Sequence, residues 1–193
     1  MAALAVASVL YWRNGRQDSL AVLPFIYTSA DAGAADDPER EYLSDGLTES
    51  IIRDLSRLSG LRVIARSSVF RYKGRESDPR EVGHALNVRT VLTGRIAQRG
   101  DRLTVSAELV EAATGTRLWG DRFEAGVADL MRVQDEIAGH IAGELSLRLT
   151  EGERRQQLAR QHTPDPEAHR LYLKGLYFWN RRTAVDAQKA VEH

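Results

Sequence analysis

The junction around Gly60 constrains this chain more than any other feature. Leu43, Leu47, Ile51, Leu55 and Leu58 recur at helical spacing, which lays an apolar stripe along one side of a core-facing helix. Gly60 then offers a left-handed cap, and Leu61-Arg-Val-Ile-Ala-Arg66 follows immediately. A segment joined that tightly to a helix end is a second strand. Upstream, Leu20-Ala-Val-Leu-Pro-Phe25 is apolar throughout, the pattern of a strand buried on both faces.

The same alternation continues. Residues 26–37, rich in Ala, Gly and Asp, form a surface loop that delivers Asp37 and Pro38 as N-cap and first helical residue. Asp78-Pro79-Arg80-Glu81 repeats that signature with Glu81 placed for a capping box. It predicts a short helix over 79–87 that buries Val82, Ala85 and Leu86 and ends on a left-handed Asn87. Residues 88–97 are strand-rich, Gly100-Asp101 is a hairpin turn, and Leu103, Val105, Ala107 and Leu109 alternate as one face of a strand. A turn at Thr114-Gly115 leads into a fifth strand ending near Phe123. Leu130, Val133, Ile137, Ile141, Leu145 and Leu149 then step along a helix that lies across the sheet. The fold class is therefore α/β, a five-stranded mixed sheet packed with about three helices. Residues 151–165 read as a polar linker closed by Thr163-Pro-Asp-Pro166. Beyond it, a helix over 167–179 and a second from Ala184 predict a short helical-repeat hairpin over 166–193.

Composition narrows the function classes. The 193 residues hold 27 basic and 27 acidic side chains, so net charge is zero, which argues against a basic nucleic-acid clamp and against direct nucleic-acid binding. Cysteine is absent, removing disulfides, thiolate metal sites and thiol nucleophiles. All but Lys73, Lys174 and Lys189 of the basic residues are arginine. Residues 2–12 are an apolar run followed by Arg13 and Arg16. That run is too short to span a bilayer, which takes about 20 residues. The expectation is that residues 1–17 are the end of a membrane anchor, with Tyr11 and Trp12 at the headgroup level; a terminal helix packed on the domain is the alternative.

Several strings carry a family likeness: Ser19-Leu-Ala-Val-Leu-Pro-Phe25, Glu41-Tyr-Leu-Ser-Asp-Gly-Leu-Thr-Glu-Ser-Ile51, Arg66-Ser-Ser-Val-Phe-Arg-Tyr-Lys-Gly74, Val91-Leu-Thr-Gly94, Leu118-Trp-Gly120 and Gln134-Asp-Glu-Ile137. In this order they resemble the TolB amino-terminal-like (FlgO-like) domain of bacterial membrane-associated signalling proteins, over residues 18–150. The resemblance implies an upstream effector, such as a winged-helix transcription factor, an adenylate cyclase or a serine/threonine kinase, and downstream tetratricopeptide repeats that bind a protein or peptide partner. It also implies an inner-membrane anchor with the domain on the periplasmic side, whereas Arg13 and Arg16 lean cytoplasmic by the positive-inside rule.

The candidate functional residues fall in two oppositely charged segments. Residues 36–49 carry six acids and one arginine, and residues 61–75 carry five basic residues and no acid. Asp45, Gly46 and Glu49 on the first helix, with Arg66, Ser67, Ser68, Arg71 and Lys73 after the second strand, predict a surface interaction or ligand patch, or a charge-complementary homodimer contact. Acidic residues near a helix start are accounted for by the helix dipole without catalysis. Gly46 inside a helix signals a kink or a close backbone approach. The histidines are scattered and no phosphate loop or nucleophile elbow occurs, so the expectation is a regulatory module that is not an enzyme and takes no cofactor or metal.

Overall fold

A computed structural model describes residues 18–29, 38–100, 102–126, 129–145 and 166–181, together with residue 191. The strands are β1 (Asp18–Val22), β2 (Ile26–Ser29), β3 (Leu61–Val63), β4 (Thr90–Arg99), β5 (Arg102–Glu111) and β6 (Arg117–Gly126). The helices are α1 (Pro38–Leu55), α2 (Arg66–Val69, continued by a 3-10 turn at Phe70–Tyr72), α3 (Pro79–Leu86), α4 (Leu130–Glu144) and α5 (Pro166–Arg181). They build a mixed sheet in the order β3-β1-β4-β5-β6, with β2 also on β4. β1 is parallel to β3 and β4, and β4-β5-β6 is an antiparallel meander.

The sheet has six strands and not five because the first strand breaks. Val22 pairs with Leu92 and Ile26 with Arg95, one residue more on this side than on β4, the count of a bulge. Pro24 has no N–H to give the ladder, and the Phe25 N–H leaves the sheet to donate to Thr48 Oγ1 of α1 at 3.0 Å. The chain then rejoins β4 as β2, so part of the expected surface loop over 26–37 is strand. Gly94 belongs to this arrangement, since a Cβ there would overlap the Phe25 ring.

The core lies between the sheet and α1 and α4. Leu92, Ile96, Leu103, Val105 and Leu109 from the strands meet Leu47, Ile51, Leu55, Val133, Ile137 and Ile141 from the helices, all at most 1 % exposed. The short α3 covers the other face near Val91 and Val110, packing Gly83 against Ala112. Asp78 caps it by accepting from Arg80 N–H at 2.8 Å, and Asn87 ends it at φ 51°. Its buried side differs from expectation: Val82 and Gly83 are inside and Ala85 is exposed, because the close approach at Gly83 turns Ala85 outward. The strand after Gly60 is also shorter than expected, since Arg66 already starts the α2 turn.

The expected anchor, the linker, Leu149 and all but residue 191 of the second repeat helix lie outside the described residues. Among the described residues no helix is long and apolar enough to cross a membrane.

Candidate functional site

The acidic stripe of α1 is Glu41, Asp45 and Glu49, each one helical turn after the last. The turn-rich segment after β3 crosses it, and the two charged segments meet inside one chain. Lys73 Nζ sits 2.7 Å from Asp45 Oδ2 and 2.6 Å from Glu41 Oε1, and Arg66 Nε donates to Glu49 Oε2 at 3.1 Å. The Arg66 guanidinium also stacks 3.7 Å over the Phe70 ring. Their opposition is thereby used within the fold, where sequence alone pointed to a polarised surface or a contact between copies.

α5 closes over this junction. Leu173 lies against Gly46, where a Cβ would come within 2.8 Å of Leu173 Cδ2. The glycine is therefore a close approach and not a kink. Tyr177 donates its hydroxyl to Glu41 Oε2 at 2.9 Å, and its ring lies 5.9 Å from Lys73 Nζ. Further along, Arg53 Nη1 reaches the Tyr172 hydroxyl at 2.6 Å. Leu173 and Tyr177 are buried at 1 % and 5 % exposure, so the first helix of the expected repeat hairpin packs its apolar side on α1.

Burial changes the chemistry of Asp45. Its side chain is 7 % exposed, and Oδ1 is buried with no hydrogen-bond partner among the described residues. Burial pushes its carboxyl above the ordinary aspartate range, Lys73 offsetting only part of the effect. Burial also opposes the Lys73 charge, but hydrogen bonds to Asp45 and Glu41 outweigh it and hold the ammonium above its ordinary value. The two directions agree physically: Lys73 gains from two carboxylates, whereas for Asp45 burial and the neighbouring Glu41 charge outweigh Lys73 and Arg66. An orphaned buried acceptor costs about 1–3 kcal/mol.

Of the sequence-predicted patch, the structure brings together Asp45, Gly46, Glu49, Arg66 and Lys73. Asp45 and Gly46 are buried, not surface residues: Leu173 of α5 lies on Gly46, and Lys73 closes on Asp45. Ser67, Ser68 and Arg71 stay outside; Arg71 donates to Ser68 O at 2.9 Å and lies over Tyr72. α2 has four residues and its N-cap Ala65 makes no side-chain hydrogen bond, so Ser67 and Ser68 stand at too short a helix for its dipole to draw a charged ligand. The sequence marks Glu41 only as one of the acids of residues 36–49 and Tyr177 only as bulk on α5. It gives Leu173 no role, and Gly46 signals a close neighbour without naming it. Among the described residues no group of three or more His, Asp or Glu side chains is placed to hold a metal.

Comparison with known proteins places these elements. A Rhizobium meliloti (strain 1021) protein provisionally named adenylate cyclase 3 is 42 % identical over 174 residues, 89 % of this chain. The chain spans 28 % of that relative's length. Among solved structures, TolB from Acinetobacter baumannii is 15 % identical with a TM-score of 0.46, over 67 % of this chain and 28 % of that one. Lipoprotein GNA1162 from Neisseria meningitidis is 18 % identical with a TM-score of 0.45, over 65 % and 99 %. Likeness of that degree carries no inference about activity. The model of the HilA/YgeH-like transcriptional regulator second domain matches residues 16–140, and the chain belongs to that family.

Proposed function

We propose that this chain is a non-catalytic regulatory module that passes a binding event to an effector domain elsewhere in a longer protein. One observation supports the reading most: α5, which begins the segment after the α/β body, is held on α1 over a carboxylate that burial disfavours. A contact of that kind is a restrained joint, poised to open when a partner offers Asp45 better solvation or competes for the Leu173 seat. Membership in a regulator-domain family and the likeness to part of a cyclase-named protein suit a signalling role. The cyclase name then belongs to the remainder of such a relative, and the effector can equally be a winged-helix or kinase domain.

The finer parts of the proposal follow the TolB-like resemblance. Residues 1–17 end a membrane anchor, the body lies on the periplasmic side of the inner membrane, and residues 166–193 open a repeat region that holds a protein or peptide. In this reading Asp45, Gly46, Glu49, Arg66 and Lys73 set the joint, while exposed Ser67 and Arg71 and half-buried Ser68 form the margin that a partner touches. Incubation of the purified chain with ATP and with GTP tests the non-catalytic claim. The expected result is no cyclic nucleotide and no phosphate release above the blank. Turnover of either nucleotide by the purified chain would overturn it.

A further inference from the structure

A groove of about 990 Å³ opens on the side of the sheet away from α1 and α4. It starts beyond the carboxyl end of β1 at Leu23 and Pro24, passes under the connection between Tyr72 and Pro79, and spreads over β4, β5 and β6. Its position follows from topology. The connection from β1 leads to β3 on one side, and the connection from β3 returns past β1 to β4 on the other. Right-handed crossovers in opposite directions lie on opposite faces, and the strand end between them is where open α/β sheets hold ligands.

Register decides what stands in the groove. Arg95 is opposite Ser106, and Ser106 is opposite Arg122, so the three share a row on one face. Strands about 4.8 Å apart place the two arginines about 10 Å apart with the Ser106 hydroxyl between them. The adjacent row is Thr93, Glu108 and Gly120. A Cβ on Gly120 would overlap the Arg117 guanidinium, so this mid-strand glycine lets Arg117 lie across β6, 3.5 Å from Glu108.

The charges then sort themselves. Glu108 is matched by Arg117, Glu76 by Arg95 and Asp78 by Arg80. Asp121 at the rim belongs by register to the opposite pleat, in the row of Gly94 and Ala107. Arg75 and Arg122 line the groove with no side-chain partner among the described residues, and the Thr93 and Ser106 hydroxyls are equally uncommitted. Pro24, Ile26 and Tyr72 supply an apolar wall.

We infer that this groove binds a small organic anion, its carboxylate or phosphate held above Ser106 by Arg122 and Arg75 and its body lying on Pro24, Ile26 and Tyr72. Arg95 keeps Glu76 neutralised and contributes a second fork when the anion enters. The site is separate from the α1–α5 joint and stands whether or not that joint transmits a signal.

Titration of the 193-residue chain with citrate, and separately with pyrophosphate, against sodium chloride of equal ionic strength tests the assignment. Saturable binding of at least one is expected, with amide shifts at Ser106 and Gly120. Arg122→Gln should raise Kd about tenfold, the scale of one charged hydrogen-bonding partner, while the exposed Arg57→Gln leaves it unchanged. Saturation by citrate alone assigns a carboxylate ligand, and by pyrophosphate alone a phosphate ligand. Saturation by neither, or equal weakening by Arg57→Gln, overturns the inference. If Arg122→Gln lowers the melting temperature, Arg75→Gln makes the same test from the loop side. Release of phosphate from pyrophosphate would leave the site standing and end the non-catalytic reading.

Discussion

Two sets of ion pairs in this molecule join a basic side chain to carboxylates under opposite conditions. At the α1–α5 joint, Asp45 is only 7 % exposed against the Lys73 ammonium, and its Oδ1 has no hydrogen-bond partner among the described residues. On the far half of the sheet, Arg95 with Glu76 and Arg117 with Glu108 stand in water, each side chain roughly half exposed or more. Exposed pairs contribute about 0–1 kcal/mol, whereas a covered pair is costly to break because one charge is stranded. Cover, not pairing, thus separates a structural joint from a surface free to receive a ligand.

The strongest way to break that contrast is to remove the cover. Gly46→Leu has no room beneath Leu173 and should displace α5, lowering stability by about 2–4 kcal/mol through lost apolar burial. Urea unfolding, with proteolysis after α4, measures it; an intact α5 would show that the glycine is incidental. Next in size, Lys73→Met should cost about 1–3 kcal/mol by leaving Asp45 unpaired. A cost below about 0.5 kcal/mol would place the joint among ordinary surface pairs.

A pH series sharpens the comparison. The folded-state pKa of Asp45 is raised, so the folded chain takes up this proton first, and stability rises as pH falls through the window between the folded and the ordinary aspartate value. The wild type should therefore gain on Asp45→Asn as the solution is acidified through that window, as read by urea midpoints. For Lys73, also raised, the contribution is complete below the ordinary lysine value and is lost as pH rises through the folded one. Relative loss of the wild type on acidification would mean that pairing outweighs burial at Asp45. Smallest of all, Arg95→Gln should change stability by less than about 0.5 kcal/mol, since both it and Glu76 are exposed.

Much of the fold is legible locally. The stripe from Leu43 to Leu55, the Asp78 cap, the left-handed Asn87 and the alternation from Leu103 to Leu109 are short-range signals that the structure bears out, whereas Leu58, expected on the same helix, lies in the turn before Gly60. β2 is not among them, because Ile26–Ser29 has little strand pattern and becomes a strand only by pairing with a long β4. The outward turn of Ala85 depends likewise on Ala112, far along the chain. At the joint, Gly46 announced a close neighbour, but Leu173 lies more than a hundred residues away, and no periodicity links them. The charge segments were legible as charge; that they meet within one chain required the crossover of the segment after β3 over α1.

Hydrogen exchange along α5 tests the central claim most directly. The account predicts that the amides around Leu173 and Tyr177 are protected in the wild-type chain and exchange freely in Gly46→Leu, while those of β4 and β5 stay protected in both. Free exchange of α5 in the wild type, or protection that survives Gly46→Leu, would contradict it.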